Sequence, residues 1–596
     1  MPSDSRLSRL VKSSRKLFRR KNRGEGQEEE GAYQWAHDWT PPNIKWIDLD
    51  CIRQWIHTCD HEHGEECHPS SSQEAGRPLW LIDVEQDCLV PAAEHRYVAL
   101  SYVWGGVESA QTTTDNIEAM QRPGALEEGR SGGDLVVPRT IRHAMGLARR
   151  LGERHLWVDR FCICQDDALT KHAQLGFMAD IYGNAYLTIV AASEWDANHG
   201  LRGIEGLTKP RDLSPHLTKD QYMECMNIDD AIWSSRGWTF QENIFSRRKL
   251  LFQYQTVRWE CRQSVWHEST GVSGRVPGHV TTGDWGWHRD ESGNTNVHEL
   301  KGLSKYELLR QYSHLVESYN TRDLAYPEDG LQAYLGVIQR FSEAVPGGFF
   351  WGLPVSDFHR ALLWQPRETL VRRLSRRRDV GLYELPSWSW VGWRGNVNMM
   401  KCLPAKGRPT KGRPTLVPLC VWGVTNKSRT IGPLAVHAEP GGDAHASLHE
   451  DPFLHAKAPV AWAWLGGPTN ESQFFELEEA NFRSAFDDIQ IGKDGVGRNG
   501  YLQSRELVGI FSSDPMETTR CGFLILSAGV RSRLFAREEC EFLAISTSLD
   551  AQNTPQYHNV LWIGRKDGIV YRKGLGYIMA DAWDNLNPKR EDIVLG

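Results

Sequence analysis

Residues 97–106, YVALSYVWGG, decide the fold of the first half of this chain. Tyr97–Tyr102 is an apolar stretch typical of a buried strand, and Trp104 with two glycines follows it closely. The segments 156–193 and 235–252 repeat this arrangement, with polar side chains at or just beyond the end of an apolar stretch. Ligand-binding and active sites in open α/β sheets lie at the carboxyl ends of the strands. The three segments therefore predict one site at one edge of a sheet.

Helical patterns separate the predicted strands. Pro138–Leu151 has one apolar side, and His172–Gly183 is a second predicted helix. The further strands are predicted at Leu156–Val158, Ala185–Ala192 and Lys249–Gln253, and residues 79–90 are expected to form a hairpin or one strand with a turn. Strands that alternate with helices predict an α/β domain with a parallel sheet flanked by helices.

Composition indicates a soluble globular protein of several domains. The chain has 596 residues, 40% of them apolar and 24% charged, and a domain typically has about 100–200 residues. A net charge of −7 argues against binding of polyanions by the whole molecule, so no nucleic-acid partner is expected. Twelve scattered cysteines, with no apolar leader and no apolar run of membrane-spanning length, favour a reducing, cytoplasmic location.

The first 23 residues differ from the rest. Nine of them are Lys or Arg, and five apolar residues recur there at helical spacing. This pattern is typical of an amphipathic segment that contacts an anionic membrane or serves as an import signal. The alternative is a disordered basic arm without a specific role, because so short a helix is marginal in water. A linker at 24–31 follows.

A cluster of cysteines and histidines precedes the first predicted strand. Cys59, His61, His63, Cys67 and His68 offer two thiols and three imidazoles within ten residues, a set that can hold zinc. Paired C-x₂-C units are missing and three glutamates lie among the cluster, which favours a loop leading into the domain with a packed cysteine. The sequence pattern of this cluster therefore does not assign a metal ligand.

The chain divides into five predicted parts. A mixed α+β C-terminal region follows the α/β domain, with helices first and then short strands separated by Gly and Pro. The predicted parts are a basic arm and linker at 1–31, a leading segment with the Cys/His cluster at 32–96, the α/β domain at 97–260, a helical extension at 261–400 and a mostly β region at 401–596.

Two strand ends supply most of the candidate site. Ser101, Tyr102, Trp104 and Gly105 end the first strand, where glycine allows backbone amides to approach a ligand closely. Asp159 ends the second strand. Each residue also has a structural interpretation, since Trp-Gly is common in tight turns and Asp159 can cap a helix.

Trp238 and Glu242 complete the candidate site. They are four residues apart, so on a helix they share one face. A carboxylate beside an indole has its pKa raised by desolvation and can orient a ribose hydroxyl or stabilise a developing cation. The alternative is that the two side chains pack and pair within the core.

These residues resemble the motifs of the fungal heterokaryon incompatibility (HET) domain. The resemblance covers YVALSYVWG at 97–105, LWVDRFCICQDD at 156–167, MADIYGNAYLTIVAA at 178–192 and SRGWTFQE at 235–242, in the order of the family. One position departs from the pattern: Cys164 stands where the family has Asn, which removes an amide that could bind a ligand.

The resemblance implies a role in fungal non-self recognition, as an effector that triggers programmed cell death. HET domains are distantly similar to TIR domains, which have a flavodoxin-like fold. Some TIR domains cleave NAD with the glutamate of a W-C-x-x-E segment. Trp238 and Glu242 have that spacing, with Thr239 in place of Cys.

This second resemblance implies Glu242 as the catalytic residue and NAD as the substrate, with no further cofactor. Ser101, Tyr102, Trp104, Gly105, Asp159 and Trp238 are then the ligand-binding candidates. The alternative is a non-catalytic signalling module that self-assembles. The implied partners are other incompatibility proteins or further copies of the chain.

Overall fold

A computed structural model describes residues 40–68, 76–127, 136–193, 195–225, 228, 231–269, 300, 302–376, 384–399, 415–425, 431–434, 451–468, 505–512, 520–527, 538–550 and 552–596. The basic arm at 1–23 and the linker at 24–31 lie outside these residues. No helix in the described part is long and apolar enough to cross a membrane.

An eight-stranded sheet organises the first half. Its strands are β1 (Trp80–Asp83), β2 (Cys88–Pro91), β3 (Val98–Ser101), β4 (His155–Trp157), β5 (Leu187–Ala191), β6 (Arg248–Gln253), β7 (Thr256–Cys261) and β8 (Val265–His267). The order across the sheet is β2-β1-β4-β3-β5-β6-β7-β8. The sheet thus includes strands from both sides of the predicted 97–260 boundaries, which remain predictions.

The prediction of a parallel sheet holds only for its centre. Strands β4, β3, β5 and β6 are parallel neighbours. The edges are antiparallel: β1 pairs with β2 and β4 on one side, and β6, β7 and β8 form a meander on the other. The physical reason is connection length, since two- to four-residue turns join the edge strands and parallel neighbours need long crossovers. The sheet is therefore mixed.

Nine α-helices accompany this sheet in the described residues. They are α1 (Leu49–Glu62), α2 (Ile117–Met120), α3 (Arg139–Arg150), α4 (Asp159–Cys162), α5 (Ala168–Gly176), α6 (Met178–Asn184), α7 (Lys219–Cys225), α8 (Ile232–Ser235) and α9 (Trp238–Phe245). The helix predicted at His172–Gly183 is divided at Phe177. Its first part starts early because the Asp167 carboxylate caps the amides of Leu169 and Thr170.

Short elements connect the two large sheets. The helices are α10 (Lys305–Asn320), α11 (Leu335–Ser342) and α12 (Phe358–Ala361), and the strands are β9 (Phe349–Phe350), β10 (Leu353–Pro354), β11 (Gln365–Pro366), β12 (Val371–Arg372), β13 (Trp393–Arg394) and β14 (Val397–Asn398). Single 3₁₀ turns occur at Gly64–Glu66, Pro327–Gly330, Gln332–Tyr334, Val355–Asp357 and Trp390–Gly392. Ser304 begins α10 with a capping box to Glu307.

A ten-stranded sheet occupies the C-terminal region. Its strands are β15 (Thr415–Pro418), β16 (Gly423–Thr425), β17 (Ile431–Pro433), β18 (Leu454–Pro468), β19 (Arg505–Phe511), β20 (Arg520–Ser527), β21 (Glu538–Leu549), β22 (Pro555–Lys566), β23 (Ile569–Met579) and β24 (Lys589–Leu595), with α13 (Ala580–Asn585) between the last two. Its long strand β18 pairs with β16, β19, β21 and β24.

One continuous apolar core runs from Ile47 to Leu595 and joins these parts. Helix α11 packs on α9 through Gly336, whose amide donates to the Gln241 side chain at 2.8 Å. A Cβ on Gly336 would collide with Ala179 and Gln241, so glycine permits this close approach. The helical extension therefore supports the helix that carries Glu242.

Candidate functional site

Three candidate residues come together at the carboxyl edge of the central strands. Ser101 is the last residue of β3, and Asp159 follows β4 at the start of α4. Because Ala99 pairs with Trp157 in parallel register, Ser101 and Asp159 extend to the same edge. Glu242 arrives from α9, the helix before β6.

A hydrogen-bonded chain links Ser101 to Glu242. The Ser101 hydroxyl donates to the Glu242 carboxylate, and the Trp233 indole N–H donates to the Ser101 Oγ at 2.7 Å. The Tyr182 hydroxyl lies 3.0 Å from the Leu100 carbonyl oxygen and also hydrogen-bonds Glu242. All of these side chains are buried, and Glu242 is 5% exposed.

The surroundings of Glu242 favour its protonated form. Burial raises its pKa to about 7, against the lowering effect of the Ser101 hydrogen bond. That value includes the nearby Asp159 charge, which raises the pKa, and Arg236 and Tyr182, which lower it. Glu242 can therefore hold or release a proton near neutral pH.

Asp159 forms a second polar group at the edge. Its carboxylate accepts from the Trp104 indole at 2.7 Å and from the Arg160 amide at 2.7 Å. The enclosing protein raises the pKa of Asp159, although part of its side chain reaches solvent. The Arg160 guanidinium lies 4.2 Å from the centre of the Trp104 ring. Trp104 and Asp159 thus form a partly exposed rim beside the buried Glu242.

Arg236 supplies positive charge that acts on both carboxylates. Its guanidinium donates to the Tyr102 carbonyl at 2.9 Å, and its charge lowers the pKa of both Asp159 and Glu242. Arg322 from the helical extension donates to the Arg236 carbonyl at 2.7 Å. Arg322, in the C-terminal half of the chain, therefore helps to position the Arg236 guanidinium at the site.

Tyr102 directly follows Ser101, the last residue of β3. Its side chain is buried, which raises its pKa well above the usual value, and the Asp159 charge adds to this rise. Its carbonyl, rather than its hydroxyl, accepts from Arg236.

Gly105 shapes the turn after Trp104. Its φ is +63°, and a Cβ there would collide with Asp196, so the turn requires glycine. The carbonyl of Trp104 accepts from the Ala197 amide at 3.2 Å, which holds the turn against the next loop.

Trp238 lies on the same helix as Glu242 but takes part in a different contact. Its partly exposed indole points to Asp329, with 3.4 Å between the indole nitrogen and the carboxylate. The indole hydrogen-bonded to the Ser101–Glu242 pair belongs to Trp233 instead. Cys164, at the position of the family's Asn, lies 3.3 Å from the Asp166 carboxylate.

Sequence reasoning missed Trp233, Tyr182 and Arg236 as members of the site. Tyr182 and Arg236 lie inside the motif segments 178–192 and 235–242. Their place in these motifs could have identified them as candidate site residues. Trp233 lies just before a motif, and its role depends on folding that brings it to a residue 132 positions away.

The arrangement can support acid–base or electrostatic chemistry. A glutamate that titrates near 7 can exchange a proton, and its anionic form can stabilise a developing cation. Among the described residues, the group of side chains close enough to hold a metal ion lies elsewhere, at Cys59, His63, Cys67 and Cys261.

Comparison with known proteins agrees with the motifs. Residues 97–242 match the family model described as Heterokaryon incompatibility protein (HET). A curated relative, heterokaryon incompatibility protein 6, OR allele, of Neurospora crassa, is 35% identical over 100 residues. That stretch covers 16% of this chain and only 14% of the relative. No solved structure matches the chain. The chain therefore carries a HET domain at residues 97–242.

Proposed function

We propose that this chain acts in heterokaryon incompatibility as a cell-death effector, and that its HET domain is a TIR-like hydrolase that cleaves NAD. The observation that carries the proposal is the environment of Glu242. This carboxylate is buried at the carboxyl edge of parallel strands, held by Ser101, and has its pKa raised to about 7. The name of the relative supports the role in incompatibility.

The strand order supports the TIR-like part of the proposal. In chain order the central parallel strands are β3, β4, β5 and β6, and across the sheet they run second, first, third, fourth. Flavodoxin-like folds have this order, and their ligands bind where it reverses. That reversal lies at β3, the strand that ends in Ser101.

The proposed reaction breaks the bond between the ribose C1′ and the pyridinium nitrogen of NAD. The bonding electron pair stays on nitrogen, so nicotinamide leaves as a neutral molecule. The ionised Glu242 stabilises positive charge on the ribose. The oxygen of a water molecule bonds to C1′, and Glu242 accepts a proton and passes it to solvent. The products are nicotinamide and ADP-ribose.

The rim offers suitable contacts for the rest of the dinucleotide. Trp104 is partly exposed and presents an aromatic face for stacking. Arg236 is partly exposed and supplies positive charge for the phosphates. Ser101, Tyr102, Gly105, Asp159 and Trp238 remain ligand-contact candidates in this proposal.

Nicotinamide release by the purified full-length chain tests the enzyme proposal. We expect Glu242→Gln, which keeps the shape of the side chain, to lower the rate by about 100-fold or more. Glu153→Gln is the matched control, since Glu153 is a buried carboxyl of the same domain that binds Arg96 instead. The enzyme proposal fails if the wild-type chain releases no nicotinamide or if Glu242→Gln keeps its rate.

A specific observation favours a second candidate, a non-catalytic signalling module that self-assembles. Glu242 is 5% exposed and its carboxylate already has hydrogen-bond partners inside the protein, which suits a structural role. Under this alternative, Glu242→Gln changes folding stability but leaves cell killing intact in a folded protein. Cell killing by the variant, scored together with its abundance, separates the two candidates.

We further propose a cytoplasmic effector that works with other incompatibility proteins or with further copies of itself. The basic amphipathic pattern of residues 1–23 supports an additional contact with an anionic membrane. Deletion of residues 1–23 tests this contact, and an unchanged cellular distribution and toxicity would remove it from the proposal.

A further inference from the structure

Four metal-binding side chains meet away from the Glu242 site. Cys59 lies in the last turn of α1, His63 follows that helix, and Cys67 follows the adjoining 3₁₀ turn. Cys261 comes from the end of β7 in the HET-domain sheet. All four side chains are buried, and their donor atoms lie within 4.8 Å of one another.

The donor set and spacing suit one ion. Three cysteines and one histidine form a ligand set of structural zinc sites, and with bonds of about 2.3 Å to sulfur and 2.0 Å to nitrogen the donors of a tetrahedron stand roughly 3.5–3.8 Å apart. The four donors, which all lie within 4.8 Å of one another, would close to that spacing around a bound ion. A structural zinc site has four protein ligands and is closed to solvent, so the burial of all four donors suits such a site.

His63 is already oriented for binding. Its Nδ1 lies 3.2 Å from the Cys261 Sγ, and its Nε2 lies 3.3 Å from the Ser264 hydroxyl. Zinc-bound histidines commonly hydrogen-bond a second protein group through the other ring nitrogen, which fixes the ring. The Trp266 ring lies 5.2 Å from the His63 ring and further limits its movement.

Hydrogen bonds and charge around the thiols also suit thiolate ligands. Backbone amides of Arg262 and Gln263 hydrogen-bond Cys67 and Cys261 respectively. Three thiolates around one divalent cation leave a net charge of −1. The Arg247 guanidinium interacts electrostatically with Cys67, and the Arg248 guanidinium with Cys59. Their positive charges can balance the net negative charge of the zinc site.

Two histidines of the sequence cluster, His61 and His68, lie outside the group of four donors. His61 Nδ1 bonds the His57 carbonyl at 2.7 Å, and His68 Nε2 bonds the Asp60 carbonyl at 3.1 Å, so both rings are engaged locally. The fourth donor, Cys261, is far away in sequence and replaces them.

We propose that Cys59, His63, Cys67 and Cys261 bind one zinc ion that fastens the segment before the HET domain to the edge of its sheet. Binding releases the thiol protons and joins α1 to β7 through the metal. The proposal is independent of NAD cleavage.

The test is the metal content of the full-length protein. We expect about one zinc per chain by inductively coupled plasma mass spectrometry of protein purified with zinc and without chelator, and a tenfold or greater loss in Cys261→Ser. Cys51→Ser is the matched control, because Cys51 lies on α1 outside the cluster. Replacement by cobalt should give the visible absorption of tetrahedral thiolate-bound cobalt, a readout that needs no mutant.

Three results would overturn the proposal. They are folded wild-type protein without zinc under these conditions, full zinc content in Cys261→Ser, and a disulfide between two of the three cysteines in non-reducing peptide mass spectrometry. If Cys261→Ser does not fold, the stoichiometry and the cobalt spectrum of the wild-type chain decide the question.

Discussion

The Ser101 hydroxyl donates a hydrogen bond to the Glu242 carboxylate at the carboxyl edge of the central strands. This contact joins the end of β3 to α9, and the Trp233 indole donates to the same hydroxyl at 2.7 Å. A buried carboxylate is costly when ionised, so the pair sets both the proton affinity and the position of Glu242.

Glu242 should make folding stability depend on pH. Its pKa is raised to about 7 in the folded chain from 4.5, so its stabilising contribution is complete below 4.5 and is lost as the pH rises through 7. Relative to wild type, Glu242→Gln should gain on the order of 3 kcal/mol between pH 4.5 and pH 8, because glutamine does not ionise. Urea unfolding of both proteins across this range measures the difference.

Ser101→Ala is the companion variant for this experiment. It removes the hydrogen bond that lowers the pKa of Glu242, so the pH at which stability declines should move upward. A difference between Glu242→Gln and wild type that is constant with pH would contradict the raised pKa.

Much of the fold follows from local patterns, and its limits have physical causes. Alternation of apolar strands and helical segments predicts the parallel centre, because periodicity is a property of neighbouring residues. It does not predict that β7 and β8 turn back antiparallel at the edge. The short connections before β7 and β8 carry that information. The predicted boundary at residue 260 lies inside β7, one residue before its end at Cys261, and leaves β8 outside the predicted domain.

Ser101 and Asp159 could be predicted as site residues because they lie at the ends of predicted strands. Ser101 and Asp159 end adjacent parallel strands, so a shared edge follows from topology alone. The partnership of Ser101 with Trp233, and of His63 with Cys261, requires residues distant in the chain to meet. Such contacts depend on tertiary packing, which a single sequence does not display.

Two tryptophans should respond differently to substitution. Trp233→Phe keeps most of the buried volume but removes the donor to Ser101, so we expect nicotinamide release to fall by about tenfold, equivalent to one hydrogen bond. Trp238→Phe should stay near the wild-type rate, because phenylalanine keeps an aromatic ring for ligand contact and the N–H that is lost faces Asp329. Steady-state assays with matched circular dichroism check both. A larger loss in Trp238→Phe would mean that the reaction depends on the indole N–H of Trp238.

The turn after β3 should tolerate a methyl group at one glycine and not at its neighbour. Gly105 has φ +63°, and a Cβ there would lie 2.8 Å from the Asp196 Cα. Gly105→Ala should lower the free energy of unfolding by about 1–3 kcal/mol. Gly106→Ala is the control, because a Cβ at Gly106 meets nothing within 4 Å. Equal stabilities of the two variants in urea would contradict this geometry.

Glu260 should stabilise the edge of the sheet by charge pairing. Its carboxylate lies 3.0 Å from the Lys249 Nζ and 2.6 Å from the Arg258 guanidinium. Burial pushes the pKa of Glu260 upward, but these two cations outweigh burial and lower the pKa to about 2. Glu260→Gln removes the carboxylate partner of two buried cations and should cost about 3–5 kcal/mol at pH 7.

The pH dependence of this cost has the opposite sign to that of Glu242. Because the pKa of Glu260 is lower in the folded chain, its contribution is present above pH 4.5 and is lost as the pH falls towards 2. The stability gap between wild type and Glu260→Gln should therefore narrow over that range in urea titrations. The control Glu85→Gln removes an exposed partner of Arg154 at 3.6 Å and should cost less than about 1 kcal/mol. If the gap at Glu260 stays constant down to pH 2, the cations do not hold this carboxylate ionised, and its role at the sheet edge is packing alone.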